Sequence, residues 1–465
     1  MFVGRTAELA LLRAELRAAG EWPARRVVVE GPEGIGKTAL IHHALGGDTG
    51  ARVLAVSGEE SERQLRLGVL RQLTDEAALL GPQAGLELEA AGRELAVAGE
   101  DPCVAGQVVC DVIDALQARG PLVVLVDDAQ WADGASLRAL GYVLRRVRAG
   151  RVLALVACRD LADPWLPEGL RRLLTGDETL RIRLYGLSAA DLAELAPHLP
   201  EPACARTPSE PGTAFDAMRV AHGNAFEATP GTAGTRGLTE PGAVRLRDHT
   251  LGNPLHARAV LAAVPVQVLA DCGVRLPAPA TYVRPFARRL HACTPAAGRL
   301  VAACAVLGGN CPLHVAAAVA GRLDEPLDAL EEAVNAGLLR ELPGRLVGFP
   351  EPLARAAAYD GLGAGVRARL HLAASRVVDD TGTALRHRAA AAGGPDEVLA
   401  EELASFAAKA AQHGQWHEAA AHLDLAAGLT ESAARRDELR TAALEHVLIG
   451  GDVLRAAELA AARNA

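Results

Sequence analysis

Gly31-Pro-Glu-Gly34-Ile-Gly36-Lys37-Thr38 is a glycine-rich turn ending in a lysine and a hydroxyl residue. Its spacing is G-x-x-x-x-G-K-[ST], the phosphate-binding loop. Lys37 is one of only two lysines, the other being Lys409, in a chain whose Lys and Arg total 48. That one cation is not written as arginine has a physical reason: a compact ammonium fits inside a backbone cradle where a planar fork does not. Arg26-Val-Val-Val29 before the loop reads as a short buried strand, and Thr38-Ala39-Leu-Ile-His-His-Ala-Leu45 after it as a helix. In that order, backbone N–H groups and the helix N-terminus face phosphate oxygens. Lys37 would reach the β- and γ-phosphates, and the Thr38 hydroxyl would bind Mg²⁺.

A second run, Pro121-Leu-Val-Val-Leu-Val-Asp127-Asp128, is apolar throughout and ends in two acids. A continuous apolar run is the mark of a central parallel strand. Asp127 suits a metal-holding role, and Asp128 could polarise an attacking water. Arg151-Val-Leu-Ala-Leu-Val-Ala157 is a third strand, followed by Cys158 and Arg159. In phosphate-loop ATPases with an inserted strand, it lies between the other two, which would turn Arg159 toward the γ-phosphate. Ala51–Val56 and Leu180–Tyr185 bring the expected sheet to five strands. The fold class expected is therefore an α/β P-loop NTPase domain with a parallel sheet of the inserted-strand type.

The whole chain has 465 residues, enough for about two to four domains. Half of it is apolar and 23% charged, as in globular proteins, and abundant alanine favours helices. A net charge of −9 argues against a surface dedicated to nucleic acid. No apolar stretch approaches the roughly 20 residues of a membrane span. The N-terminus lacks the order of a signal peptide. The eight cysteines (Cys103, Cys110, Cys158, Cys204, Cys272, Cys293, Cys304, Cys311) form no C-x-x-C pair, which points to reduced thiols and the cytoplasm.

Several stretches together resemble a known family. "FVGRTAEL" (Phe2 to Leu9), "GPEGIGKTAL", "LGVLRQL" (Leu67 to Leu73), "LVDDAQWAD" (Leu125 to Asp133), "ACRD" and "LGNPLHA" (Leu251 to Ala257) look like the ATPase module of large ATP-binding LuxR-family regulators, members of the STAND class. "LVAACAVLG", "EEAVNAGLL" and "FPEPLARAAAYDGLGAGVRARLHLAAS" resemble the helical and winged-helix segments that follow in that family. The resemblance implies ATP/ADP and Mg²⁺ as cofactors. Val3, Gly4 and Arg5 would lie by the adenine and Pro254 near the base. Gly31, Gly34, Gly36, Lys37, Thr38 and Ala39 would hold phosphates, with Thr38 and Asp127 on the metal. Asp128, Lys37 and Arg159 would carry the catalysis, and Trp131 would pack beneath the turn after Asp128. It also implies a nucleotide-controlled switch with self-association and an unidentified activating signal. The reading from a different class is a DNA-dependent ATPase of AAA type acting through the winged helix.

Composition and pattern divide the chain into an ATPase domain at 1–198, a flexible Gly/Pro/Thr-rich insertion at 199–249 and the rest of a helical subdomain at 250–276. Next come a helical and winged-helix domain at 277–378 and TPR-like repeats at 379–465. Within the insertion, "HGNAFEA" (His222 to Ala228) loosely echoes "LGNPLHA". The repeats are read from Gly414-Gln-Trp416-His-Glu-Ala419-Ala420 and Gly451-Asp-Val453-Leu-Arg-Ala456-Ala457, which are 37 residues apart. Relatives of this kind continue to a C-terminal helix-turn-helix, and nothing here resembles one. The expectation is a truncated or naturally short form that reaches DNA only through a missing C-terminal module or a partner. A further departure is Glu351 in Phe349-Pro-Glu351-Pro-Leu-Ala-Arg355, where the family carries a histidine that latches ADP. A carboxylate there would weaken the latch.

Overall fold

The structure is a computed structural model that describes residues 2–19, 24–47, 50–79, 95, 101–147, 150–199, 237–270, 274–321, 323–452 and 456. The chain divides into two compact units: Met1–Leu187 with Asn253–Leu255, and Ser188–Gly252 with His256–Ala465.

The first unit is built on five parallel strands: β1 (Arg25–Glu30), β2 (Arg52–Ser57), β3 (Leu122–Asp127), β4 (Val152–Cys158) and β5 (Thr179–Arg183). Their order is β2-β3-β4-β1-β5, so the inserted strand lies between the P-loop strand and the strand of the paired acids, as expected. Side chains alternate across a strand, and here each face has its own core. Val28, Leu54, Val124, Val126, Ala154 and Val156 pack under α3 (Gly68–Leu79), α4 (Pro102–Gln117) and α5 (Gly134–Arg146). Val27, Val29, Val123, Leu125, Leu153 and Leu155 pack under α1 (Thr6–Ala18) and α2 (Lys37–Leu45). The sixth helix, α6 (Glu168–Thr175), leads into β5. This is the α/β P-loop NTPase fold. Because all five strands are parallel, their C-terminal ends open on one edge, where ligands of such sheets bind.

In the second unit, Ala189–Leu195 packs against the helix Glu240–Thr250. That helix lies partly within 199–249, the stretch read as a flexible insertion. Thr239 Oγ1 caps it by accepting from Gly242 N at 3.3 Å. Its buried face consists of Gly242, Ala243, Leu246 and Thr250. With only one large apolar side chain on that face, the helical period was invisible in hydropathy. The remainder of the expected insertion, including His222–Ala228 with its "HGNAFEA" echo, lies outside the described residues.

A small antiparallel sheet follows, ordered β6-β8-β7, from β6 (Cys311–Pro312), β7 (Arg340–Leu342) and β8 (Leu346–Gly348). The helix Pro295–Leu307 precedes it, and Leu313–Val319 and Pro326–Asn335 lie between β6 and β7. Phe286, Leu300, Leu330, Leu338, Val347 and Leu353 form their common core. Helices Glu397–Gln412, Trp416–Leu429 and Ala433–Ile449 then pack in succession through leucines and small alanines such as Leu403, Ala407, Leu423 and Ala426. Gly414 and Gly451, the matching turn glycines of the expected repeat, share positive φ values of 75° and 84°. Of the second repeat copy, Val453–Arg455 and the residues after 456 lie outside the described part.

Candidate functional site

The P-loop connects β1 to α2, and each of its glycines meets a distinct backbone demand. Gly34 and Gly36 have φ of 74° and 100°, conformations that a side chain disfavours. A Cβ on Gly34 would lie 2.6 Å from Leu255 Cβ. Gly36 caps α2 without any side-chain hydrogen bond. The first N–H groups of a helix have no acceptor within the helix, so those of Lys37, Thr38 and Ala39 suit an anion. Gly31 N donates to Cys158 O at 3.2 Å, which ties the start of the loop to the end of β4.

Lys37 is buried at 6% exposure, and its Nζ donates to Gly31 O at 2.9 Å and Pro32 O at 3.2 Å. Burial pulls its pKa below the ordinary lysine value, while Asp128 and Asp127 pull it back up and Arg159 adds to the depression. Thr38 Oγ1 donates to Asp127 Oδ2 at 2.7 Å. The hydroxyl and carboxylate assigned to Mg²⁺ from opposite ends of the sequence motifs therefore meet directly. Hard oxygen donors of this kind, with room for water, are what Mg²⁺ takes, so the residues fit the metal. Among the described residues no group of three or more His, Cys, Asp or Glu forms an all-protein metal cage.

Asp128 is a non-glycine residue in the left-handed region, φ 44° and ψ 46°. Its N–H donates to Asp127 Oδ1 at 2.9 Å and its carbonyl accepts from Trp131 N at 2.8 Å. Gly58 is packed so closely against this turn that a Cβ there would lie 2.6 Å from Asp128 O. Such strain persists only where surrounding structure imposes it, and it gathers at functional sites. Arg159 follows β4 and reaches Glu33 Oε2 of the P-loop at 3.4 Å. Its guanidinium also lies 5.2 Å from the Trp131 ring, with Arg63 5.5 Å from the same ring. Trp131 is half-buried, within reach of both cations.

Val3 is buried, and Gly4 and Arg5 both have positive φ. The Arg5 guanidinium donates to Ile35 O at 3.2 Å and to Tyr185 O, and pairs with Glu8. It braces the P-loop against the segment after β5. Pro254 opens a helix whose first residues pack on the P-loop. Asn253 Nδ2 donates to Glu33 O at 2.8 Å, and Leu255 N to Gly34 O at 3.3 Å.

Four residues that sequence reasoning left without a role belong to the site or its frame. Gln130 lies between Asp128 and Arg159, Glu33 pairs with Arg159, and Asn253 clamps the loop. Asp133 caps α5 through Ser136 N at 2.9 Å and also accepts from Leu67 N at 3.0 Å. All four stand inside the quoted stretches, where adjacency to the motif was the available signal. Cys158, beside the loop, is an inert thiol pushed up to about 12 by burial and by Glu30. Cys204 and Cys272 lie outside the described residues. Glu351, in the second unit, accepts a hydrogen bond from Tyr282 Oη at 2.5 Å.

The family model of the AAA ATPase domain matches residues 1–156. None of the curated proteins matches the chain. Among solved structures, the chain is similar to a Signal Transduction ATPase with Numerous Domains (STAND) protein with a tetratricopeptide repeat sensor from Pyrococcus horikoshii. Identity is 15% over 98% of this chain and 63% of that one, with a TM-score of 0.33, so this chain spans less than two thirds of that protein's length. It is also similar to the Aeropyrum pernix ORC2 protein, at 14% identity over 77% of this chain and 93% of that one, TM-score 0.42. A RuvB variant from Thermotoga maritima is 12% identical over 75% and 93%, TM-score 0.34. Sheet order, loop geometry and the family match together support a P-loop ATPase of the AAA type in the first unit, and with it nucleotide binding.

Proposed function

We propose that this chain is a nucleotide-controlled regulatory switch of the STAND type, in the manner of the LuxR-family regulators it resembles. ATP and ADP are its ligands, and its hydrolysis is slow. The observation that carries the reading is the Thr38–Asp127 hydrogen bond beside a buried Lys37, which unites both halves of an Mg²⁺–nucleotide site. Thr38 and Asp127 would hold the ion, which supplies charge neutralisation at the phosphate oxygens when bound. Lys37 and the first N–H groups of α2 bind phosphate, and Asp128 orients and polarises water. Arg159, which pairs with Glu33, would exchange that carboxylate for the γ-phosphate. Val3, Gly4, Arg5 and Pro254 frame the base. Residues 277–378 are read as the winged-helix unit because helix, strand, two helices and a two-stranded hairpin follow in that order. The packed helices from Glu397 to Ile449 are read as part of the TPR-like repeats at 379–465. Titration of Mg–ATP into the parent and Lys37→Ala tests the site: the variant should lose tight binding, and equal affinities would reject it.

A second reading, a DNA-dependent ATPase, draws on one feature. The helix Ala280–His291 exposes Arg284, Arg288, Arg289 and His291. Turnover strongly stimulated by duplex DNA would favour it; unstimulated slow turnover favours the switch.

A further inference from the structure

Gln130 is the one buried amide in the turn after the paired acids, at 4% exposure. Its Nε2 donates to Asp128 Oδ1 at 2.9 Å, and its Oε1 accepts from Arg159 N at 3.0 Å. The partners dictate which end of the amide faces which way, since a carboxylate only accepts and a backbone N–H only donates. No other uncharged side chain of that length offers both functions at once. The two residues it joins follow different strands, β3 and β4, and in the reading above Asp128 acts on water and Arg159 on the γ-phosphate. The Asp128 backbone is already fixed by its left-handed conformation and by Gly58, so the remaining freedom is rotation of the carboxylate, which the amide sets.

We propose that Gln130 is a positioning residue for hydrolysis: it orients the Asp128 carboxylate and registers it with the start of Arg159, without touching nucleotide itself. This rests on the assignment of the first unit as an ATPase site. A group that acts only through another is revealed by non-additivity. Two substitutions separate its two bonds. Gln130→Glu keeps length and the acceptor for Arg159 N, but replaces the donor to Asp128 with a like charge. Gln130→Met removes both bonds at nearly constant volume.

The experiment is single-turnover hydrolysis and Mg–ATP affinity for the parent, both variants, Asp128→Asn, the two double variants, and Lys37→Ala. Both Gln130 variants should bind Mg–ATP within about threefold of the parent and hydrolyse it at least about tenfold more slowly, the scale of one charge-assisted hydrogen bond. In the Asp128→Asn background, neither should slow hydrolysis further. Hydrolysis at the parent rate in Gln130→Glu would overturn the proposal. So would losses that multiply with that of Asp128→Asn, because a merely structural glutamine damages the site independently of Asp128. Should Gln130→Met not fold, Gln130→Glu and its double variant decide alone. Unchanged binding in Lys37→Ala would instead reject the ATPase site, an outcome distinct from failure of the Gln130 assignment.

Discussion

At the scale of single residues, the site brings together the buried Lys37 and Asp127 and the half-buried Asp128. Burial lowers the Lys37 pKa, and Asp128 and Asp127 act against that shift. The account predicts that Asp128→Asn retains Mg–ATP affinity while slowing hydrolysis by roughly 10²-fold, the low end for loss of a group that activates the nucleophile. Turnover at the parent rate would remove Asp128 from that role. This scale was the most legible in the sequence. Lys37, Thr38, Asp127 and Asp128 announced themselves because phosphate and Mg²⁺ chemistry demands those residue types at those spacings. Gln130 and Glu33 did not, since an amide or carboxylate gains its meaning from a partner on another strand. Arg5 was expected beside the base, yet its guanidinium bonds to two carbonyls, something that only three-dimensional proximity reveals.

At the scale of elements, the loops are braced by buried polar side chains. Asp133 is 4% exposed and accepts from Leu67 N, Val69 N and Ser136 N, so it joins the segment after β2 to the start of α5. Asp133→Ala would leave buried N–H groups without acceptors, at a cost of about 2–4 kcal/mol. A urea midpoint that falls accordingly with unchanged slope is expected; a loss below about 0.5 kcal/mol would contradict it. Gly34→Ala should disturb the loop more selectively. Its Cβ would meet Leu255 at 2.6 Å, in a backbone conformation alanine disfavours, so nucleotide affinity should fall before global stability does. The five strands were readable because buried parallel strands are uninterrupted apolar runs. The helix Glu240–Thr250 was not, because glycine, alanine and threonine make up most of its buried face.

At the scale of the whole molecule, a pH-sensitive element lies in the second unit, where Tyr359 Oη meets His371 Nε2 at 2.8 Å and His371 Nδ1 meets His387 Nδ1 at 2.9 Å. Burial first, then His387, Arg275, Arg367 and Arg355, lower the His371 pKa to about 4. The unfolded chain binds that proton near pH 6.5, so the folded state takes up fewer protons in between. Stability is therefore full above about 6.5 and declines as pH falls toward 4, by on the order of 2–3 kcal/mol. Thermal unfolding followed across that window should show the decline, and His371→Gln should flatten it; a parent midpoint independent of pH there would contradict the assignment. No helix among the described residues is long and apolar enough to cross a membrane. The switch reading concerns the chain as a whole, and the mass in solution tests it most directly. Light scattering with ADP and with a non-hydrolysable ATP analogue should give a larger assembly only with the analogue, and no such growth in Lys37→Ala. Equal masses of the parent in both nucleotides would contradict a nucleotide-controlled switch that works through self-association.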